Sequence, residues 1–346
     1  MFPSQVRRER IFSAADLACI PRSLPNKRAE GPVSADSKAG AGSANKQIHT
    51  MKTRTLLASL AFLLLGTLIS AAATKIRIMT TFDYPGTGNL THPQKINDAG
   101  DVAGDFVDSS GATRGFIRFR DGTFSAPIVE PNDTGNVTAV SGINKSGTVV
   151  GYYVRASDST AHGFLLSHGI FAGYDVPGST STYIYGLNDL GDFSGRFDGL
   201  GFYRPANGGG FVAVIAINVA IEQTAYGLTS TDVTVGNYVD MGSVSHGFLR
   251  EVDGNLTLNI DPPGSVATIL FDINDQRWVV GRFEDSTGAT HAFFSDQTLS
   301  SFVVFDYPGS AFTSFNGINR RGVICGSYRD NAGIDHGFLA RVRIAP

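Results

Sequence analysis

Short runs of alternating hydrophobic and polar residues follow one another from residue 75 to the C-terminus. Each run, such as "TVVGYYV" or "HGFLLSH", has five to eight residues and is bounded by Gly, Asn or Asp. The runs are rich in Val, Ile, Phe, Tyr and Thr, a composition and length typical of β-strands. No part of this region shows the period of a long amphipathic helix. The pattern therefore predicts an all-β domain.

The runs belong to a repeat of about 45 residues, which an "IN" motif or its equivalent marks in each copy. Successive anchors are 47, 44, 41, 45 and 45 residues apart, and a Phe recurs in step with them. Six copies of four runs each predict a β-propeller of six four-stranded blades. A solenoid of stacked β-coils is the alternative. The anchors are Asn97, Asn144, Asn188, Thr229, Asn274 and Asn319.

The sixth copy lacks its fourth strand, because the chain ends with "HGFLARVRIAP". A matching strand stands at the other end of the repeats: "KIRIMTTFDYPG" (75–86) resembles "SSFVVFDYPG" (300–309) of the fifth copy. We therefore expect the N-terminal strand to complete the sixth blade, three strands from the C-terminus and one from the N-terminus. Such closure removes an exposed sheet edge.

The residues before the repeats have a different character. Residues 1–50 are rich in Arg, Lys, Ser, Ala and Gly without a hydrophobic period, which indicates a disordered or upstream extension. After Met51, two basic residues precede an apolar run and the small residues Ala71–Ala73, the pattern of a secretory signal. An uncleaved anchor is the alternative. We expect a signal peptide at 51–73 and a secreted or periplasmic propeller at 74–346, without membrane insertion once the signal is removed.

Charge and cysteine content narrow the function classes. After Ala73 the chain has 18 Lys/Arg and 27 Asp/Glu, a net charge of −9. An acidic surface without basic clusters argues against nucleic acid or an anionic membrane as a partner. Only Cys325 remains in this part, so no internal disulfide can form and the core alone must hold the fold. We expect a monomer.

The repeat unit "GIN..G.VVG.Y.D..G..HGFL", followed by a "D.PG" turn, resembles the HAF-repeat family of exported bacterial proteins. The His-Ala-Phe triplet itself stands at His291–Phe293. Copies one and three depart from the pattern with Arg114 and Leu200 in the His position, and copy four has Thr229 in place of the Asn. The resemblance implies export and a repeat fold, and it implies no particular reaction.

An Asp stands six residues before the His or Arg of the second motif in four copies. At this spacing the two side chains can face each other across a hairpin. Because the arrangement recurs, we interpret it as a structural brace, and general acid/base or metal chemistry is the alternative. The pairs are Asp108 and Arg114, Asp240 and His246, Asp285 and His291, and Asp330 and His336.

Motifs for catalysis and for metal binding are not found in the sequence. "NDAGD" and "DSTG" segments offer clustered oxygens, but their spacing is not that of an EF-hand and we interpret them as Asx turns. A weak calcium site stays open as a possibility. No nucleophile elbow, HExxH or P-loop occurs. We therefore predict no catalytic residue and no cofactor, and we expect the non-repeating His92 and His168 at the surface.

Loops around a propeller axis commonly bind ligands. We expect the ligand face to be the one that carries the Asp/His hairpins, with aromatic and basic residues there suited to a sugar or a peptide. Packing of these aromatics between blades is the alternative. The candidates are Tyr84, Tyr183, Tyr307, Phe312, Arg155, Arg196 and Arg329.

The sequence thus favours a secreted, non-enzymatic binding module for a carbohydrate or protein partner. The alternative function is a calcium-assisted hydrolase or lyase acting on extracellular polymers. Acidic residues from several blades gathered at one axial rim would favour that enzyme.

Overall fold

The computed structural model describes residues 74–86, 90–213 and 220–344. The predicted extension at 1–50 and signal peptide at 51–73 lie outside these residues. The described chain forms 23 strands in six antiparallel sheets and contains no helix. Accordingly, no helix of the described ranges is long and apolar enough to cross a membrane.

The strands follow the repeats. Blade one holds β2 (Thr91–Ile96), β3 (Val102–Val107) and β4 (Thr113–Arg118); blade two holds β5 (Thr138–Ile143), β6 (Val149–Arg155), β7 (Thr160–Ser167) and β8 (Ile170–Gly173); and blade three holds β9 (Thr182–Leu187), β10 (Phe193–Phe197), β11 (Leu200–Arg204) and β12 (Val212–Ala213). Blade four holds β13 (Ala220–Leu228), β14 (Thr234–Asp240), β15 (Ser245–Arg250) and β16 (Leu256–Leu258); blade five holds β17 (Ser265–Ile273), β18 (Val279–Asp285), β19 (Thr290–Ser295) and β20 (Phe302–Phe305); and blade six holds β21 (Thr313–Ile318), β22 (Val323–Arg329), β23 (Asp335–Arg343) and the N-terminal β1 (Lys75–Phe82).

The six sheets form a closed ring. The first strand of each blade, which ends at the "IN" motif, contacts the first strand of the next blade, and β21 contacts β2. A stacked solenoid would leave β21 and β2 at opposite ends. The prediction of a six-bladed β-propeller is therefore confirmed, with the "IN" strands innermost.

Strand β1 closes the ring as expected. It pairs antiparallel with β23, from Lys75 opposite Arg343 to Phe82 opposite Gly337. Its apolar side chains alternate between two seams: Ile76 packs against the core shared with blade five, and Phe82 packs against the core shared with blade one. Blade six thus has three strands from the C-terminus and one from the N-terminus.

Blade one is the irregular blade. Its fourth position is occupied by the segment 124–128, which pairs with β4 only through the bridges Arg118–Phe124 and Gly115–Ile128. Between these bridges the segment has one residue more than β4, and Ser125 Oγ accepts the Ile117 N–H at 3.0 Å in place of a main-chain carbonyl, so the ladder is interrupted.

The recurring Phe of the second motif is the centre of each blade. It is fully buried in all six copies: Phe116, Phe164, Phe202, Phe248, Phe293 and Phe338. A glycine stands opposite each one. A Cβ on Gly151, for example, would lie 2.0 Å from the Ala139 carbonyl oxygen and 2.9 Å from the ring of Phe164. The glycine of the "VVG.Y" segment is therefore required by close packing.

The "IN" asparagine joins neighbouring blades. Asn97 accepts the backbone N–H groups of Gly100 and Asp101 at its Oδ1, both at 2.9 Å, and its Nδ2 donates to the carbonyl of Asn144, 3.1 Å away in the next blade. Thr229 caps its own turn through Oγ1 but has no amide to donate onward. Equivalent links to the next blade come from Asn188, Asn274 and Asn319.

Candidate functional site

The axial channel is lined by one position of each inner strand, the third residue before the "IN" anchor. These side chains surround a cavity of about 420 Å³. The preceding residue points the other way and is buried in the core, as Ile184, Leu270 and Phe315 are. The channel-lining residues are Gln94, Ser141, Tyr185, Tyr226, Phe271 and Asn316.

Blades two to five give the channel an aromatic wall. Tyr152 meets Tyr183 edge-on with ring centroids 4.8 Å apart, Tyr185 meets Tyr226 at 4.9 Å, and Tyr226 meets Phe271 at 5.1 Å. All five rings are partly exposed, whereas the recurring Phe side chains of the core are fully buried. The wall therefore presents aromatic surface to the channel.

Two hydroxyl groups of this wall are available to a ligand. Within the described residues, the structure shows no hydrogen bond from the Tyr152 or the Tyr185 hydroxyl to a protein group. Burial raises the pKa of Tyr152, and it raises the pKa of Tyr185 well above the ordinary value. Both groups therefore stay protonated at neutral pH and can donate as well as accept.

Blades one and six supply a polar wall on the opposite side. His92 lies between two carboxylates, with Nδ1 3.1 Å from Asp105 and Nε2 3.2 Å from Asp335. Gln94 donates to Asp105 at 3.0 Å, and Arg329 binds Asp335 through two hydrogen bonds of 2.7 and 2.9 Å. We expected His92 at the surface; its side chain is 30% exposed, but its ring is bound by carboxylates of two blades.

Hydrogen bonds and neighbouring charges shift the pKa values of His92 and Asp335 in the polar wall. Burial lowers the pKa of His92, but the hydrogen bonds and charges of Asp105 and Asp335 outweigh it and raise that pKa to about 10. Burial likewise raises the pKa of Asp335, and His92 and Arg329 together lower it to about 2. His92 and Asp335 are consequently charged at neutral pH.

A buried ion pair forms the floor of the cavity. Lys95 Nζ lies 2.8 Å from Asp272 Oδ1, and the other Asp272 oxygen accepts the Ile318 N–H at 2.9 Å. Both charged residues are only 8% exposed. Four other blades have glycine here: Gly142, Gly186, Gly227 and Gly317. Because each inner strand runs toward its "IN" turn, the cavity above Lys95 opens toward the Asp/His hairpins.

A ring of charged residues surrounds the opposite mouth of the channel. Asp98, Asp189 and Asp275, from blades one, three and five, line a depression of about 590 Å³. Arg320 reaches all three: Nε pairs with Asp98, and Nη atoms lie 3.9 Å from Asp189 and from Asp275. Each carboxylate also accepts a main-chain N–H from the preceding blade. The rim of acidic residues that favours an enzyme is thus present, but a guanidinium is bound at its centre.

Of the candidate ligand residues, four lie at or near the channel and three lie away from it. Tyr183 borders the channel, and Arg196 stacks over its ring at 5.0 Å while pairing with Glu222. Phe312 and Arg329 form a second stacked pair at 5.1 Å near the polar wall.

The remaining candidates make contacts within or beside the blades. Tyr84 stacks on Phe106 with centroids 3.8 Å apart, and Tyr307 stacks on Tyr328 at 3.5 Å. Arg155 donates from Nε to His162 at 2.8 Å in the hairpin of blade two. These three contacts keep the side chains away from the cavity lining.

The four candidate brace pairs are within reach of each other. Arg114 Nε lies 3.2 Å from Asp108, and the His Nε2 to Asp distances are 3.6, 3.2 and 3.4 Å in blades four, five and six. A second carboxylate, from the "D.PG" turn, binds Nδ1 of each His at 2.7–3.0 Å and was missed in the sequence. These partners are Asp261 for His246, Asp306 for His291 and Asp83 for His336, with Asp175 for His162 in blade two.

The aromatic wall was also missed. Its signal was available: Tyr185, Tyr226 and Phe271 occupy one repeat position, three residues before the anchor. Each inner strand contains a bulge that shifts its register. This bulge decides which of two alternating residues faces the axis, and the repeat pattern does not reveal where the bulge lies.

Comparison with known proteins leaves the family open. No family model matches the chain, and no curated protein matches it. Similar solved structures include an Aleuria aurantia lectin in complex with Fucα1-6GlcNAc (8% identity, 77% of this chain and 99% of that chain, TM-score 0.46). Others are TolB from Acinetobacter baumannii (10%, 70% and 65%, 0.44) and a polysaccharide lyase, ulvan lyase (11%, 73% and 82%, 0.42). At these identities and scores, the function has to be argued from this chain's own residues.

Proposed function

We propose that the protein is a binding module that takes a carbohydrate ring into the axial cavity. The observation that carries the proposal is the division of the channel into an aromatic wall and a polar wall. Sugar rings offer C–H faces that stack on aromatic side chains and hydroxyl groups that need hydrogen-bond partners. Tyr152 and Tyr185 offer both an aromatic face for stacking and a hydroxyl group for hydrogen bonding. Gln94 and Asp105 lie on the opposite side of the cavity.

The cavity favours binding at the end of a chain. Lys95 and Asp272 block passage toward the "IN" face, so a ligand enters from the hairpin side and stops there. A terminal sugar residue of a longer glycan meets this condition.

The protonation states of the lining groups favour binding over catalysis. A general base or acid works best with a pKa near the working pH. His92 has a pKa of about 10 and both of its ring nitrogens bind carboxylates. Burial raises the pKa values of Tyr152 and Tyr185. None of these groups is poised to exchange a proton at neutral pH.

Export and family membership complete the proposal. We place a signal peptide at 51–73, so that a monomeric propeller of residues 74–346 acts outside the cytoplasm, and we assign the chain to the HAF-repeat proteins. The support for both is the sequence pattern: a basic, apolar and small-residue segment before six periodic copies.

A glycan array followed by calorimetry tests the proposal. Tyr152→Phe and Tyr185→Phe keep the rings and remove the hydroxyls, and the loss of one hydrogen bond, about 0.5–1.5 kcal/mol, should weaken binding about 2- to 10-fold. Tyr185→Ala should weaken it further. The control is Tyr203→Phe, since Tyr203 lies under Arg250 on the third strand of blade three. Unchanged affinity in all channel variants would refute the site.

A calcium-assisted hydrolase or lyase is the second candidate, because three carboxylates from separate blades meet at the opposite mouth. Against it, Arg320 occupies their centre, and no group of three or more His, Cys, Asp or Glu in the described ranges is arranged to hold a metal. Incubating polysaccharides with the protein, with and without EDTA, and measuring new chain ends separates the candidates. EDTA-sensitive cleavage would establish the enzyme.

A further inference from the structure

The outer strands of blade six carry an unusual set of like charges. On β1 and β23, Lys75 stands opposite Arg343, and Arg77 stands opposite Arg341. Directly paired residues of an antiparallel ladder point to the same face, and like charges in such pairs are destabilising. The intervening pair, Ile76 and Val342, packs toward blade five. The four cations therefore face blade one.

A fifth cation stands on the opposite wall of this seam. Arg118 of β4 lies over the ring of Phe82 of β1, with its guanidinium carbon 4.7 Å from the ring centroid. Its strand partner Val102 packs with Val323 of blade six, and Val323 is in turn the partner of Arg341. Arg118 and the four cations of blade six thus border one groove, which we call the basic seam.

The basic seam has few counter-charges: within the described residues, Asp121 acts electrostatically on Arg118 without forming an ion pair with it. Within the described residues, no ion pair involves any of its five cations, whereas Lys95, Arg114, Arg196, Arg277, Arg320 and Arg329 all have acidic partners. The Nε atoms of Arg118 and Arg341 are shielded from solvent and have no hydrogen-bond partner. A buried donor without an acceptor is destabilising. In a domain with a net charge of −9, such donors within a cluster of cations indicate a surface suited to an anionic ligand.

The repeat itself does not require these charges. The third residue after the recurring Phe is Arg341 in blade six and Phe119, Ser167, Pro205, Glu251 or Asp296 in the other blades. In the other blades the chain turns here, whereas β23 continues to Arg343 because its neighbour β1 comes from the N-terminus. The four cations of β1 and β23 are therefore specific to the closing blade, whereas the position of Arg118 is also arginine in blades three and four, at Arg204 and Arg250.

We propose that the basic seam binds sulfate or phosphate ester groups of an anionic polysaccharide. An ester oxyanion can accept from the Nε and Nη groups of one guanidinium at once, which would satisfy the donors of Arg118 and Arg341. The two charged pairs lie about 7 Å apart along the strands, since alternate residues of a strand are separated by two rises. A row of charges in a groove suits a linear polymer that carries repeated anions. Arg118 and Arg341 are only partly exposed, which favours a flexible polymer over a flat lipid surface. This site is separate from the axial cavity.

Binding of dextran sulfate, with unsulfated dextran of equal size as the control, tests the inference by fluorescence anisotropy. We expect dextran sulfate alone to bind, with an affinity that falls steeply as salt increases, because neutralising a polyanion releases its counterions. The double variant Arg77→Gln/Arg341→Gln should bind about 10-fold more weakly and with a shallower salt dependence. At equal millimolar concentrations, inorganic sulfate and phosphate should raise the melting temperature of the wild type more than that of the double variant, since general salt stabilisation acts on both.

A matched variant controls for charge alone. Arg250→Gln also removes an arginine without an ion pair in the described ranges, but Arg250 stacks on Tyr203 far from the basic seam. It should bind dextran sulfate like the wild type. Equal loss in both variants, no binding by the wild type, or binding only to vesicles of anionic phospholipid would overturn the proposal. So would dimerisation of the double variant with unchanged binding, because the cations would then serve to keep the β1 edge from pairing.

Discussion

Removing residues 75–83 should destabilise the propeller more than any single substitution on the surface of blade six. The deletion takes away seven paired positions along β23. It also removes Ile76 and Phe82 from the cores on either side of the blade. The contact between Asp83 and His336 Nδ1, at 3.0 Å, disappears with the strand.

The apolar contacts set the size of the effect. Full burial of an Ile or Phe side chain stabilises by about 1.5–3 kcal/mol, so the half-buried Ile76 and Phe82 together contribute about 2–3 kcal/mol. The ion pair at His336 adds about 0–1 kcal/mol. Uncovering Leu339 on β23 adds to the loss, and the gain from main-chain hydrogen bonds is largely offset by ordering the strand. The expected cost is about 3–5 kcal/mol, or a melting temperature about 10 °C lower for a domain of this size.

Thermal and urea unfolding of a chain beginning at Tyr84, compared with one beginning at Thr74, measures this cost. A synthetic peptide of residues 74–83 should restore part of the loss when added in excess. Met79→Ala is the control, because Met79 is 51% exposed and its loss leaves the pairing intact. The loss of stability in Phe82→Ala should be smaller than that of the shortened chain and larger than that of Met79→Ala. If the shortened chain melts like the full propeller, β1 does not hold the ring closed.

The other predictions concern charges and the thiol. Against the lowering effect of burial, hydrogen bonds to carboxylates raise the pKa of His92 to about 10 and raise that of His291. Such groups stabilise fully below their unfolded pKa of about 6.5 and lose the effect as the pH rises through the folded pKa. The melting temperature should therefore fall from about pH 6.5 to 10, less so in His92→Gln; an equal slope would contradict the assignment. Lys95→Gly and Asp272→Gly should each cost about 3–5 kcal/mol by leaving a buried charge unpaired. The double variant, which restores the glycine of other blades, should be more stable in urea than either single variant, whereas additive losses would count against the pair. Cys325 is fully buried and its pKa is raised, so in the chain beginning at Thr74 its thiol should react with Ellman's reagent only after unfolding; rapid labelling of the native protein would show an open core.

The fold could be predicted from the sequence because every repeat contains the residues that mark the limits of a blade. A fully buried Phe and the glycine opposite it recur in every copy, since both are needed to pack a four-stranded sheet. The match between residues 75–86 and 300–309 also predicted the closing strand, because the two strands do the same task in blades six and five. Within the described residues, blade one differs, because an extra residue in the segment 124–128 interrupts its outermost ladder.

The candidate site could be predicted only in part, because it depends on departures from the repeat. Tyr183 and Arg196 were recognised as residues of the hairpin side, and the structure brings them together at the channel. His92 and Lys95 gave no signal, since their partners Asp335 and Asp272 come from other blades and more than 170 residues away. Contacts of this kind arise from closing the ring, which a local pattern does not encode.

The asparagine links around the axis make the joint between the last and first blades the same as an internal one. Asn319 donates to the Asn97 carbonyl at 3.0 Å, as Asn274 does to Asn319 at 3.1 Å. The hydrogen bonds at the centre of the molecule therefore do not distinguish the closing joint from an internal joint between blades. A circularly permuted gene that starts in another blade could keep every axial bond, and blades could be gained or lost during evolution without new chemistry at the hub. The position of the chain ends is instead seen at the rim, where the N-terminal β1 pairs with the C-terminal β23.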